Sequence, residues 1–568
     1  MNSLGRASAI IGAGTMVSRL TGLLRSIVLV GVIGSYKSGP ADAFTFANQL
    51  PNSVFSLISV GILTAVIVPQ IVKATADVDG GNAFISKLFT LGTVVLVVIT
   101  GIATAAAPWL VHLVAGRATP DILALATALA YWCLPQILLY GLYALLGEAL
   151  NARRIFGPFT WAPVVNNVIS IIGFLILGAV FAPVSTDAAD WTPAMINTLG
   201  GTATLGIALQ AVVLLVFWRR TGLALKPDFR WRGVGLGAVG RLAGWTFLMA
   251  FASLAAGMLQ GFIISEAAGA GASVTVTANA WLIFMLPYSV IVLSIGTPYF
   301  TQISEHAAAG RHDEVRADIS RSIRTLLFFI LAAVAAVAAA AVPASRVFTK
   351  DAEGVTAASA AQSAAVVLLC YLVSLIPLTI LFIVQRTFYA YDDTRTPFWF
   401  TIVQCVLIVV TTLAAWALYE ADVIPLTSLA AAVALGQSIA SVLQTLLATW
   451  LLHRKIGGLQ IGSWMAAVGR FAVAAVPAGL AGWGSSCSQG CRGMDGGKPG
   501  VRSPRHRGHR LRRGRGVRRH PRPDAGSRAQ GRRGPGPPVP PRSLIRARSR
   551  LPGRWRTLSR ECPAVTMG

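Results

Sequence analysis

The chain has 568 residues, 54% of them hydrophobic and only 12% charged, with a mean hydropathy of +0.65. Soluble domains carry about 25% charged residues, so this is the composition of a polytopic membrane protein. The formal charge of +26 misleads: residues 485–568 hold 21 Arg and one Lys against Asp495, Asp524 and Glu561, a net +19 that leaves +7 for the preceding 484 residues. The basic excess is a tail and not a folded groove, which excludes a nucleic-acid partner for the chain as a whole.

The first predicted span, residues 10–34, is long enough to cross a bilayer as a helix, for which about 20 residues suffice. It contains two arginines. Arg19 and Arg25 lie roughly 14 and 22 Å along such a helix from Ile10, inside the hydrocarbon layer. Each would cost about 2.5 to 3.5 kcal/mol facing lipid. At 100° per residue, Gly14, Ser18, Thr21 and Arg25 form one stripe and Thr15, Arg19, Gly22 and Ser26 its neighbour. Met16, Val17, Leu20, Leu23, Leu24 and Ile27 take the other side. The small and polar side suits a wet cavity with fixed positive charge, and intramembrane arginines so placed mark a functional site. The same small residues also suit close helix packing.

Further spans are predicted at 44–72, 88–114, 122–146, 160–183, 197–218, 240–268, 275–303, 323–345, 360–388, 397–419, 427–452 and 464–484, thirteen in all. No cleavable signal peptide is expected, because residues 1–8 lead directly into a full-length span. With the N-terminus cytoplasmic, inner loops hold Lys73, Lys87, Arg153, Arg154, Arg219, Arg220, Lys226, Arg230, Arg232, Arg311, Arg316, Arg321, Arg395, Arg454 and Lys455. Outer loops hold only Lys37, Arg117, Arg346 and Lys350. The positive-inside bias selects this orientation.

LPNSV at residues 50–54 recurs as LPYSV at 286–290, and NARRIFGPF at 151–159 is matched by YAYDDTRTPF at 389–398. The offsets, 236 for Leu50 and Leu286 and 239 for Pro158 and Pro397, agree over a long stretch. The expected fold is therefore all-α, with two pseudo-symmetric six-helix lobes in residues 1–232 and 233–455, a parallel repeat of the kind that builds alternating access. An extra span follows in 456–484. Residues 485–568, rich in Arg, Pro and Gly, are expected to be disordered. Their abrupt onset reads as a shifted reading frame.

No catalytic constellation is visible: there is no Walker loop, no metal-ligand spacing and no nucleophile elbow, so neither enzyme activity nor a cofactor or metal is expected. Cys133, Cys370 and Cys405 fall in apolar segments and read as core residues. SRLTGLLR at 18–25, ADAF at 41–44, QLPN at 49–52 with Val68 and Pro69, ALN at 149–151, APVVNN at 162–167 and DDTRTP at 392–397 together resemble the MurJ (MviN) lipid II flippases. These belong to the multidrug/oligosaccharidyl-lipid/polysaccharide exporter superfamily, and the resemblance runs to about Gly484.

The resemblance implies movement of undecaprenyl-pyrophosphoryl-disaccharide-pentapeptide from the inner to the outer leaflet of a bacterial plasma membrane. It implies two lobes around a cationic cavity, the bilayer as second partner, and a possible association with cell-wall synthesis machinery. Arg19, Arg25 and Asp42 match the family's substrate-site positions. Forked guanidinium donors suit a pyrophosphate. Phe55, Leu282 and Met285 stand where the family often has charge, so the cavity here is less basic. Asp42, just after Gly39 and Pro40, suits an N-cap equally well. Glu148, Arg386 and Asp393, at inner span ends, are candidate gate residues or solvated topology charges, and Glu266 is a candidate ion site or an outer-interface residue. The alternatives are a carrier of another polyprenyl-linked glycan and a non-transporting cell-wall scaffold. Cationic-drug efflux would want acidic cavity residues, and the arginines oppose it.

Overall fold

The computed structural model describes residues 3–58, 82–153, 155, 157–221, 226–229, 236–351 and 355–473. Among them the chain is helical: α1 Ser3–Ile33, α2 Gly39–Ile58, α3 Asn82–Ala105, α4 Ala107–Ala115, α5 Pro120–Cys133, α6 Gln136–Ala152, α7 Gly157–Val180 and α8 Pro193–Trp218. A second series follows with α9 Leu236–Ile264, α10 Val274–Pro287, α11 Leu293–Ala308, α12 His312–Ala339, α13 Ala341–Arg346, α14 Ala357–Leu372, α15 Leu375–Ala390, α16 Arg395–Glu420, α17 Leu426–Ile456 and α18 Ile461–Val473. Eleven helical stretches are long and apolar enough to span a bilayer. They correspond to eleven of the thirteen expected spans. The second and thirteenth run into residues 59–81 and 474–484, outside the described residues, as does the tail.

The internal repeat reappears as matched breaks. Pro51 lies inside α2, and Pro287 ends α10 where a wide π turn, Tyr288–Val292, leads into α11. A proline lacks the N–H for the helix ladder, so the backbone must widen or bend there. Ala106 separates α3 from α4 just before Pro108, as Ala340 separates α12 from α13 before Pro343. Leu134 and Pro135 part α5 from α6, as Val373 and Ser374 part α14 from α15. Two spans in each half are thus interrupted at corresponding places, while the matched prolines Pro51 and Pro287 differ, with α2 continuous through Pro51.

Each half has its own apolar core. In the first, Phe44, Phe46, Leu129, Leu134, Phe174 and Leu199 form one cluster and Leu146, Leu150, Leu214 and Trp218 another. In the second, Phe284, Ile323, Leu327, Leu368, Ile383 and Phe388 are central. Helix α1 touches both cores. Val28, Leu29 and Val32 pack on the first, while Leu23 and Ile27 pack against the second, to which Val30 and Tyr36 belong.

Candidate functional site

The two halves are joined at the end of the bundle where α1 gives way to α2. The Asp42 carboxylate, fully buried, accepts the N–H of Gly269 at 3.1 Å and that of Thr275 at 3.1 Å. It therefore caps α10 of the opposite half rather than its own helix. Beside it the hydroxyls of Thr45 and Thr275 lie 2.9 Å apart, the Ser35 hydroxyl donates to the Phe348 carbonyl, and the Lys37 N–H donates to the Gly271 carbonyl at 3.3 Å. Lys350 Nζ reaches the Val32 carbonyl at 3.4 Å.

Arg117 adds a second clasp. Its backbone N–H donates to Ser265 Oγ, its guanidinium pairs with Glu266 at 3.6 Å, and it lies 3.6 Å above the Trp416 ring, with Phe262 also in reach. Glu266 is thus an interface residue with a resident cation. Between described residues, every hydrogen bond and ion pair that links the two halves lies at this end.

Towards its N-terminus α1 tells a different story. Leu23 and Ile27 pack on the second half, but Met16 and Leu20, on the same side, are 56% and 58% exposed. Exposed polar stripes run at helical spacing, Gln49, Asn52 and Ser56 on α2 and Ser294, Thr297 and Thr301 on α11. Within membrane-length helices such stripes have no favourable contact with acyl chains and fit a water-lined face.

Arg19 and Arg25 are half-buried on α1, and no carboxylate of a described residue lies within ion-pairing distance of either. The Arg25 guanidinium is in electrostatic contact with Tyr140 of α6, on whose ring Phe55 stacks at 5.8 Å. Where a further arginine would add charge, an aromatic pair stands instead. Leu282 and Met285 pack against the core of the second half.

The stripe of Gly14, Ser18 and Thr21 does more packing than lining. A Cβ on Gly14 would come within 2.9 Å of the Trp161 indole, and Asn167 Nδ2 donates to the Ser18 carbonyl and to Thr21 Oγ1, each at 3.0 Å. The wet side of α1 is therefore narrower than the helical wheel predicts. Small residues were needed there so that α7 could approach.

The remaining candidates are dispersed. Glu148 is half-buried near the end of α6. The Arg386 guanidinium lies over Phe300 and Phe382, at 5.1 and 5.0 Å, with no carboxylate of a described residue in pairing distance. Asp393 accepts the Thr396 N–H and hydroxyl at 2.9 and 2.8 Å and the Lys455 ammonium, so it caps α16 and ties it to the end of α17. Burial pushes its carboxyl up, yet the bonds from Lys455 and Thr396 outweigh burial and hold it below the ordinary carboxylate value.

Sequence reasoning passed over Arg117, Lys37 and Lys350 as topology charges. A signal was present: they are three of the four cations on the side that the positive-inside bias leaves poor in them. All three take part in the junction, Lys37 through its backbone.

Two helical halves joined by polar contacts at one end, with eleven stretches of membrane-spanning length and composition among the described residues, define a multi-pass membrane protein. The family model described as "Lipid II flippase MurJ" matches residues 37–493. The chain belongs to that family. A probable lipid II flippase MurJ of Haemophilus influenzae is 28% identical over 40% of this chain and 44% of its own length. One from Vibrio cholerae is 24% identical over 72% of this chain and 77% of its own length. Among solved structures, "Lipid II flippase MurJ, inward closed conformation" superposes with a TM-score of 0.65 at 17% identity, covering 86% of this chain and 100% of that one. At that identity the likeness establishes the fold.

Proposed function

We propose that this protein moves the lipid-linked peptidoglycan precursor, lipid II, from the inner to the outer leaflet by rocking of two lobes, residues 1–232 and 233–455. The N-terminus is cytoplasmic by the distribution of basic residues, so the clasped end is outer and the cleft opens inward. One observation carries the reading: Arg19 and Arg25 stand half-buried on α1 without an acidic partner among the described residues. A guanidinium held away from bulk water without a counter-ion is costly, and a bound diphosphate removes that cost with paired, charge-assisted bonds.

The chain's residues bind, orient and release, and no covalent step is assigned to them. The bilayer holds the polyprenyl chain while the head group crosses, and cell-wall synthesis machinery is the proposed recipient. The test is leaflet-resolved: outer-face lipid II is measured in cells depleted of their own flippase and supplied with this chain. No rise above the depleted level would sink the proposal.

A second reading is favoured by the Phe55–Tyr140 stack and by the packed Leu282 and Met285, which leave the cleft with fewer cations than a family pattern supplies. In it the cargo is another polyprenyl-linked glycan. Competition between lipid II and a polyprenyl-diphosphate oligosaccharide for the purified protein separates the two.

A further inference from the structure

On the outer face, above the clasp, lies a cavity of about 470 Å³ whose walls come from both halves. Lys37, Thr119, Asp121, Thr186 and Asp187 line it from the first half, and the backbone of Ala268 to Ala270 closes it from the second. Its volume falls within the range of about 300 to 1,000 Å³ that small-molecule sites occupy.

The floor is made by two glycines of opposite halves. A Cβ on Gly269, whose φ is +69°, would meet Ile122 Cδ1 at 3.0 Å and the Gly39 Cα at 3.7 Å. The same Gly269 gives its N–H to Asp42. The cavity and the clasp therefore share a wall, and one cannot open without dismantling the other. Lys37 itself sits in the left-handed region at φ +53°, held by its bond to the Gly271 carbonyl. A lysine pays for that conformation with strain, and such strain persists where surrounding structure fixes it.

The charges in this cavity are of opposite sign, with Lys37 half-buried and Asp121 and Asp187 open to solvent. Among described residues the Lys37 ammonium has no hydrogen-bond or ion-pair partner, nor has the Asp121 carboxylate, and the two do not pair with each other. Asp187 gives one oxygen to the Ala189 N–H and keeps the other towards solvent. The geometry points to a site for a small zwitterion, an amino acid or short peptide, with its ammonium on Asp121 and Asp187 and its carboxylate on Lys37. The Thr119 and Thr186 hydroxyls supply further bonds.

Because the walls belong to both halves, the ligand binds the outer-closed state alone and holds it, by the reciprocity of linked equilibria. An external zwitterion thus slows the carrier from outside without entering the cleft. This site is independent of what the cleft carries, since neither Arg19 nor Arg25 lines it.

The experiment uses the full chain in nanodiscs with glycylglycine as probe, and acetate and methylammonium as single-charge controls. Glycylglycine is expected to bind saturably in the millimolar range or tighter, with Lys37→Met and Asp121→Asn each weakening it about tenfold, a loss of one charge contact. Asp42→Asn, outside the cavity, is expected to weaken it as well by depopulating the closed state. Absence of saturable dipeptide binding, binding by either cavity variant as tight as by the parent, or methylammonium binding as tightly as the dipeptide would overturn the zwitterion site. Unchanged affinity in Asp42→Asn with weakened cavity variants would overturn its link to the clasp.

Discussion

The end of the molecule where α1 gives way to α2 and the part of α1 that precedes it handle charge in opposite ways. At the clasp Asp42 has two backbone donors and Glu266 has Arg117, so the charges that link the halves there are answered by protein groups. On α1 Arg19 and Arg25 have no acidic partner among the described residues. On the proposed function the contrast separates two jobs, with answered polar groups holding one end closed and unanswered ones left for cargo. The polar part of the joint is a few hydrogen bonds and one partly exposed ion pair, each of modest strength, set beside apolar packing of Val30 and Tyr36 on the second core and of Ala268 and Val274 on the first.

The sharpest break of this contrast is in the cleft. Arg25→Ala or Arg19→Ala removes a desolvated charge contact to the diphosphate, a loss of about 2 to 5 kcal/mol. Outer-face lipid II in the depleted strain is expected to stay at background while the variant protein inserts at normal abundance. Full transport by either variant would end the assignment of these residues.

The next largest effect is at the clasp. Asp42→Ala leaves the N–H groups of Gly269 and Thr275 buried without acceptors, at about 1 to 3 kcal/mol each. A cysteine placed at Thr45 is then expected to react faster with a membrane-impermeant thiol reagent added outside. If its reactivity matches that of the Asp42 parent, the clasp does not govern closure.

Arg117→Ala acts in the same direction but less. It removes a partly exposed ion pair worth about 0.2 to 1 kcal/mol and a cation–π contact worth about 0.5 to 2 kcal/mol. The Thr45 cysteine is expected to report a smaller rise than with Asp42→Ala, and a larger one would reverse the ranking of the two clasps.

The smallest effect is pH-dependent and lies at the opposite end of the second half. The folded value of Asp393 is depressed, so its bonds to Lys455 and Thr396 contribute stability that is whole above about pH 4. That contribution is lost as pH falls through the folded value. Asp393→Asn is expected to flatten the acid limb of the melting curve by a degree or so, with no change in outer cysteine reactivity. An equal acid limb in both proteins would show that the pair contributes nothing.

The span-by-span hydropathy anticipated the helices, because a segment in lipid must satisfy its own backbone and therefore announces itself by length and apolar content. Of the repeat between LPNSV and LPYSV, Pro51 lies within a continuous α2 while Pro287 closes α10 ahead of a π turn. The helical wheel of α1 was silent about which of its small and polar residues meet α7. Gly14, Ser18 and Thr21 look alike whether they line water or admit a neighbour.

What the sequence by itself determined is the class of molecule, its two-fold repeat and the presence of two costly cations in the first span, since each follows from local composition and period. What only the tertiary structure decided is where Asp42, Glu266 and Arg117 act. Their partners lie some 150 to 230 residues away in the chain, and no local pattern encodes a bond whose existence depends on two independently folded bundles meeting at one end.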